Sequence, residues 1–249
     1  ITRLFPCIIR KPMQALNCPN CGAALPQKAI KASDLVSCEF CGTSFRVPKT
    51  LTPEPDMGDL ILGADFSSKT MPGWEIINEE LLTFHKGKPS ELRGSYAPHT
   101  NTYYVLKSSG FLDDFDASIN MKFTDGEKDI IRAGFYLRFT DNGGYAVMVS
   151  VIGSYSIGYY KKDEKNELKW EDLLPWANHT ALRAGMNETN RLRVLCDGEQ
   201  FRVYLNGTLA TSFKDSSFKR GKLYLAVAPT EKSNLGITFT DLQLREVLK

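Results

Sequence analysis

The chain has 249 residues, 42% of them hydrophobic and 24% charged, with a formal net charge of +2. That length holds one large domain, or a small one joined to a large one, and the composition is that of an ordinary globular protein. Near-balanced charge argues against a nucleic-acid partner, and no run of roughly 18 apolar residues is present to span a membrane as a helix.

The start, Ile1 to Ile9, is apolar and includes Cys7. It lacks the small residues of a lipoprotein cleavage site and the longer apolar core of a signal peptide, so residues 1–16 are expected to form a docking arm. Next come two cysteine hooks, Cys18-Pro19-Asn20-Cys21-Gly22 and Cys38-Glu39-Phe40-Cys41-Gly42, sixteen residues apart. Two residues between cysteines let a turn aim both sulfurs at one metal, and two such turns complete a tetrahedron of thiolates. Cys18, Cys21, Cys38 and Cys41 are therefore expected to hold one structural zinc ion, a closed set with no position open for catalysis. The module, residues 17–48, has too little apolar matter to fold without the metal. It resembles bacterial zinc ribbons. Thiols kept for zinc favour a reducing compartment, and the cytoplasm is the expected location.

Residues 49–57 read as a stiff linker, with Pro48, Pro53 and Pro55 in or beside it. From residue 58 to residue 249 the pattern is β. Ala117, Ile119, Met121 and Phe123 alternate with polar neighbours as in a half-buried strand. Phe135, Leu137 and Phe139 are expected on one face, followed by a turn at Asp141-Asn142-Gly143-Gly144 and a strand carrying Tyr145, Val147, Val149 and Val151. Leu168 to Leu174 is expected to make at most one short helical turn. Further tight turns fall at Asp197-Gly198 and Asn206-Gly207, with Cys196 on the strand before the first of them expected as a buried free thiol, the alternative being a disulfide to Cys7. The hydrophobic phase slips at Thr240-Asp241, which predicts a β-bulge. Many short strands between turn signals mean a sandwich or jelly roll.

Gly63-Ala64-Asp65-Phe66-Ser67-Ser68 with Gly73-Trp74-Glu75, then Asn190-Arg191-Leu192-Arg193-Val194 and Phe201-Arg202-Val203-Tyr204-Leu205-Asn206-Gly207, resemble concanavalin A-like lectin/glucanase domains. The likeness lies with the laminin G-like and 3-keto-disaccharide-hydrolase-like branches and covers residues 60–247. It implies an all-β jelly-roll sandwich behind the zinc ribbon, on a fold that serves glycan binders, protein binders and hydrolases alike.

Glucanases on this fold carry Glu-x-Asp-x-x-Glu on one strand, and the nearest run here, Glu127-Lys128-Asp129-Ile130-Ile131-Arg132, replaces the third acid with arginine. The histidines at 85, 99 and 179 show no triad or metal spacing. Asp113-Asp114-Phe115-Asp116 and Asp141-Asn142 match rim positions where some relatives hold calcium, although acids in turns ordinarily bond their own backbone. Tyr145, Tyr155, Tyr159, Tyr160, Trp170 and Trp176 gather in the middle third. Trp170, Trp176, Tyr159 and Tyr160 are the candidate ligand face for a glycan or peptide; the plain alternative is that the tryptophans plug the sandwich edge. The reading that results is a non-catalytic binding or scaffolding protein held in an assembly by protein partners. One rival is a carbohydrate-binding or glycoside-processing domain. A second is a nucleic-acid-binding ribbon using Arg3, Arg10, Lys11, Lys28, Lys31 and Arg46.

Overall fold

The computed structural model describes residues 20, 23, 35–42, 44–46, 57–126 and 131–247. The chain divides into two compact units, Ile1–Thr50 and Leu51–Lys249. In the first, β1 (Leu35–Ser37) and β2 (Ser44–Arg46) form an antiparallel hairpin whose turn carries Cys38 and Cys41.

The second unit is two antiparallel sheets around one core. One sheet runs β12 (Leu168–Asn178), β11 (Ser154–Lys162), β10 (Gly143–Ser150), β9 (Arg132–Thr140), β16 (Lys222–Ala228), β7 (Tyr103–Ser108), β4 (Trp74–Ile76). The other runs β15 (Thr208–Lys214), β14 (Gln200–Leu205), β13 (Thr189–Asp197), β8 (Phe115–Gly126), β17 (Leu235–Val247), β6 (Glu91–Tyr96), β5 (Leu82–His85), with β3 (Met57–Ala64) also on β17. A 3-10 turn at Glu79–Leu81 is the one helical element among the described residues.

Alternation builds this core. Phe115, Ala117, Ile119, Met121 and Phe123 of β8 face Phe135, Leu137, Val147 and Leu225 from the other sheet, all buried. Each of these side chains larger than alanine contributes about 1.5–3 kcal/mol over its exposed state. The turns fall where glycine and asparagine placed them, with Thr140 opposite Gly143, Asp197 opposite Gln200 and Leu205 opposite Thr208. Cys196 is a fully buried free thiol, and burial pushes it up to about 12. The register shifts between Thr240 and Gln243, with Asp241 at φ 55°, which is the bulge that the phase slip predicts.

Two expectations are corrected. Leu168 to Leu174 belongs to an eleven-residue strand rather than a helical turn. The cause is the tip before it, where the Asp163 carboxylate accepts from the Lys165 and Glu167 backbone N–H groups and reverses the chain onto β11. Phe139 does not share the face of Phe135 and Leu137. Arg138 takes φ 49°, two residues of β9 oppose one of each neighbour, and Phe139 emerges on the outer side.

Arg138 is also the best-buried cation described, 2% exposed. Its Nε donates to the Asp113 carbonyl at 2.7 Å and its Nη1 to the Gly198 and Phe218 carbonyls at 2.8 and 3.2 Å. Nη2 reaches Asp114 at 3.3 Å, and the guanidinium lies 5.0 Å from the Phe201 ring centre. One side chain thus fastens three loops at an end of the sandwich. Asp116 pairs with Arg193 at 2.9 Å and Asp113 with Arg220 at 3.1 Å, so the acidic run considered for calcium is engaged by arginines.

Candidate functional site

An antiparallel sheet with one face on a core normally turns polar residues to solvent on the other. The outer face of the seven-stranded sheet departs from that pattern. Strand register brings Glu75, Lys107, Tyr224, Tyr136, Ala146, Gly158 and Asp172 into one row across seven strands. Lys222 beside Phe139, and Gly144 beside Tyr160 and Trp170, make the row next to it. Small residues form the floor and aromatic rings stand on it.

The rings touch one another from β7 to β12, five strand spacings or about 24 Å. Tyr104 lies 4.9 Å from Tyr224 and 5.5 Å from Tyr136, centre to centre. Tyr136 meets Phe139 edge-on at 5.1 Å and stacks on Tyr160 at 5.9 Å, and Tyr160 meets Trp170 at 5.1 Å. Tyr136 and Phe139 are buried beneath the others, while Tyr104, Tyr160, Trp170 and Tyr224 stay partly exposed. Ala146, Met148, Ala226 and Ala228 lie buried under this layer, which is a second apolar cluster outside the main core.

Two features fix the platform. The Trp170 indole N–H donates to Asp172 at 2.7 Å. A Cβ at Gly158 would come within 2.3 Å of the Trp170 ring and 2.4 Å of the Glu171 carbonyl, so only glycine lets the indole lie down on the sheet. The Tyr104 and Tyr136 phenols stay protonated. Burial, with the Tyr160 and Tyr224 hydroxyls nearby, pushes Tyr104 up to about 12, and burial with Tyr160 alongside raises Tyr136 further. Tyr136 shares a 3.3 Å hydrogen bond with Thr102. The face therefore offers π-surfaces and neutral hydroxyls that both donate and accept.

Of the four residues expected to form a ligand face, Trp170 and Tyr160 stand in this aromatic layer. Tyr159 points to the opposite side, packed on the core with its hydroxyl on Glu171, because it neighbours Tyr160 on a strand of period two. Trp176 is 46% exposed but makes no ring contact with the platform. Tyr145 and Tyr155 are core residues, with Tyr145 donating to Asp215 at 2.5 Å. Sequence reasoning missed Tyr104, Tyr136, Phe139 and Tyr224. Alternation alone exposes Tyr224 between Leu223 and Leu225, whereas Phe139 needs the bulge.

Carboxylates on the strand positions of this face are Glu75 and Asp172. They stand six strands apart, on the order of 29 Å at about 4.8 Å per strand, against the roughly 5–9.5 Å of a glycosidase pair. Glu127 and Asp129 lie outside the described residues.

Of the expected zinc ligands, Cys18 and Cys21 also lie outside them. Cys38 and Cys41 close one turn, in which the Gly42 N–H donates to the Cys38 carbonyl at 2.9 Å and Gly42 takes φ +72°. The Asn20 amide nitrogen sits 3.7 Å from the Cys41 sulfur, so a residue from inside the first hook meets the second. Among the described residues no group of three or more metal-ligating side chains gathers.

No family model and no curated relative matches the chain. Solved structures do. A glycoside hydrolase family 16 endo-glucanase from Bacteroides ovatus, in complex with G4G3G-2F-DNP, is 8% identical over 74% of this chain and 100% of that one, with a TM-score of 0.57. LamAcat from Zobellia galactanivorans is 11% identical over 75% and 97%, with a TM-score of 0.53. Carbohydrate-binding module 66 from Bacillus subtilis is 17% identical over 70% and 96%, with a TM-score of 0.47. At these identities the likeness is one of fold, the concanavalin A-like jelly roll of the sequence reading. The expectation that the chain is not an enzyme is corrected by the same comparison: similar structures include an endo-glucanase.

Proposed function

We propose that the sandwich binds carbohydrate on the outer face of its seven-stranded sheet. One observation carries the reading: Tyr104, Tyr136, Phe139, Tyr160, Trp170 and Tyr224 form a connected aromatic layer on the face of the sheet turned away from the main core. A contiguous aromatic surface left on the solvent side of a folded sheet is a binding feature rather than a folding one. Sugar rings present C–H faces to aromatic rings and hydroxyls to polar ones, and this layer supplies both. The scaffolding role expected from the sequence has no comparable support.

Affinity electrophoresis through gels containing soluble β-glucan, xylan, mannan, pectate or alginate tests it. Retardation by at least one polysaccharide, reduced by Tyr224→Ala, is expected. Migration unchanged in every gel contradicts the reading. Reducing-end release from the retained polymer then separates binding from turnover.

For the first unit we infer one structural zinc ion on Cys18, Cys21, Cys38 and Cys41. The closed cysteine turn and the Asn20–Cys41 contact support it, and the metal would supply folding free energy to a module with little core. Elemental analysis is expected to find one zinc per chain, lost in Cys38→Ser. A purified chain without zinc, with the module equally resistant to protease, contradicts it.

A further inference from the structure

The outer-face strand positions carry Lys107, Arg132, Lys162 and Lys222 against Glu75 and Asp172, four cations to two carboxylates. The imbalance is sharpest at one corner. Glu75 is shared between the Lys107 ammonium at 2.7 Å and the Lys222 ammonium at 3.4 Å, so two cations face one carboxylate. Both lysine side chains are held low on the sheet, 27% and 21% exposed. Tyr224 is the register neighbour of Lys107 and Phe139 that of Lys222. Lys222 also lies 6.0 Å from the ring centre of Phe111, which is 53% exposed. Partly exposed rings and a surplus ammonium therefore stand within one sugar's reach of each other. At the far end Asp172 is occupied by the Trp170 indole.

Building on the carbohydrate reading, we propose that this corner selects an acidic polysaccharide, seating an anionic sugar against Tyr224 and Phe111 with its acid group on Lys107 and Lys222. A neutral sugar would leave the second ammonium without a counter-charge. An anionic one neutralises it where the flanking rings exclude part of the water, and there a Coulomb attraction is worth several times its value in bulk solvent. Glu75 competes internally for the same lysines.

The test is titration of the whole chain with polygalacturonate, dextran sulfate and a neutral β-glucan at 50 and 500 mM NaCl. Tighter binding of an acidic polymer is expected, weakened about tenfold or more by the higher salt, since partly exposed charges are screened over about a Debye length. The polygalacturonate and dextran sulfate arms tell a carboxylate-bearing sugar from a sulfated one. The double substitution Lys107→Met with Lys222→Met should cost a similar factor, and Glu75→Gln should strengthen binding, a gain that a misfolded variant cannot imitate. Binding to the neutral glucan equal to or tighter than either acidic polymer, indifferent to salt and to Glu75→Gln, overturns the inference and leaves the carbohydrate reading standing. No binding to any of the three polymers overturns the inference, and the carbohydrate reading falls with it only if migration is also unchanged in every gel.

Discussion

Replacing Arg138 with alanine is expected to destabilise the sandwich by about 3–5 kcal/mol, the loss typical of breaking one partner from a buried charged network. The guanidinium is 2% exposed and its donors reach three backbone carbonyls and the Asp114 carboxylate, so truncation removes four bonds where water enters poorly and leaves Asp114 with the Gly198 N–H in place of its cation. An ordinary hydrogen bond is worth roughly 0.5–1.5 kcal/mol, and the expected loss exceeds that because several are lost together and Asp114 loses its charged partner. Arg138→Lys should recover only a minor part, since a point ammonium cannot span acceptors on three loops. The effect extends to the outer face, because the same bulge turns Phe139 outward beneath Tyr104 and Tyr160. Urea denaturation checks this: an unfolding free energy within about 1 kcal/mol of the unsubstituted chain's would contradict the assigned role.

The second large effect is on binding. Trp170→Ala should weaken carbohydrate binding by roughly 2 kcal/mol, the scale of an aromatic hot spot, or about thirtyfold in Kd. The indole is fixed before any ligand arrives, held flat over Gly158 by Asp172 and backed by Tyr160, so little ordering entropy opposes its use. Trp176→Ala serves as the control, because that ring is more exposed yet has no contact with the platform. Calorimetric titration separates them: a large loss for Trp170 and little for Trp176 is expected. Equal losses would place the contact at the β12 edge instead.

Much of this fold was legible in the residues. Alternation in β8 and β13, the glycine turns after Asp197 and Asn206, and the phase slip at Thr240 each reflect a short-range rule that the chain obeys. The site was less legible, for three physical reasons. Phe139 faces outward through a single left-handed residue, Arg138, whose conformation is imposed by loops 24 to 80 positions away. Tyr159 and Tyr160 are adjacent, and aromatic character cannot say which of two neighbours faces the core; register does. Tyr104, Tyr136, Trp170 and Tyr224 come from four strands spread over more than a hundred residues, and only the β12-β11-β10-β9-β16-β7 order brings them side by side. The cysteine hooks are the reverse case, a motif plain in sequence of which one turn lies within the described residues.

The most direct measurement is a nitrogen–proton NMR titration of the tryptophan indoles with the polysaccharide that the gels retain. The chain has three tryptophans, and three indole resonances report separately on the core, the platform and the exposed edge. The Trp170 resonance should move on binding, because its N–H sits on Asp172 beside the stacking surface, while those of Trp74 and Trp176 stay. Movement of Trp176 with Trp170 unmoved would contradict the account.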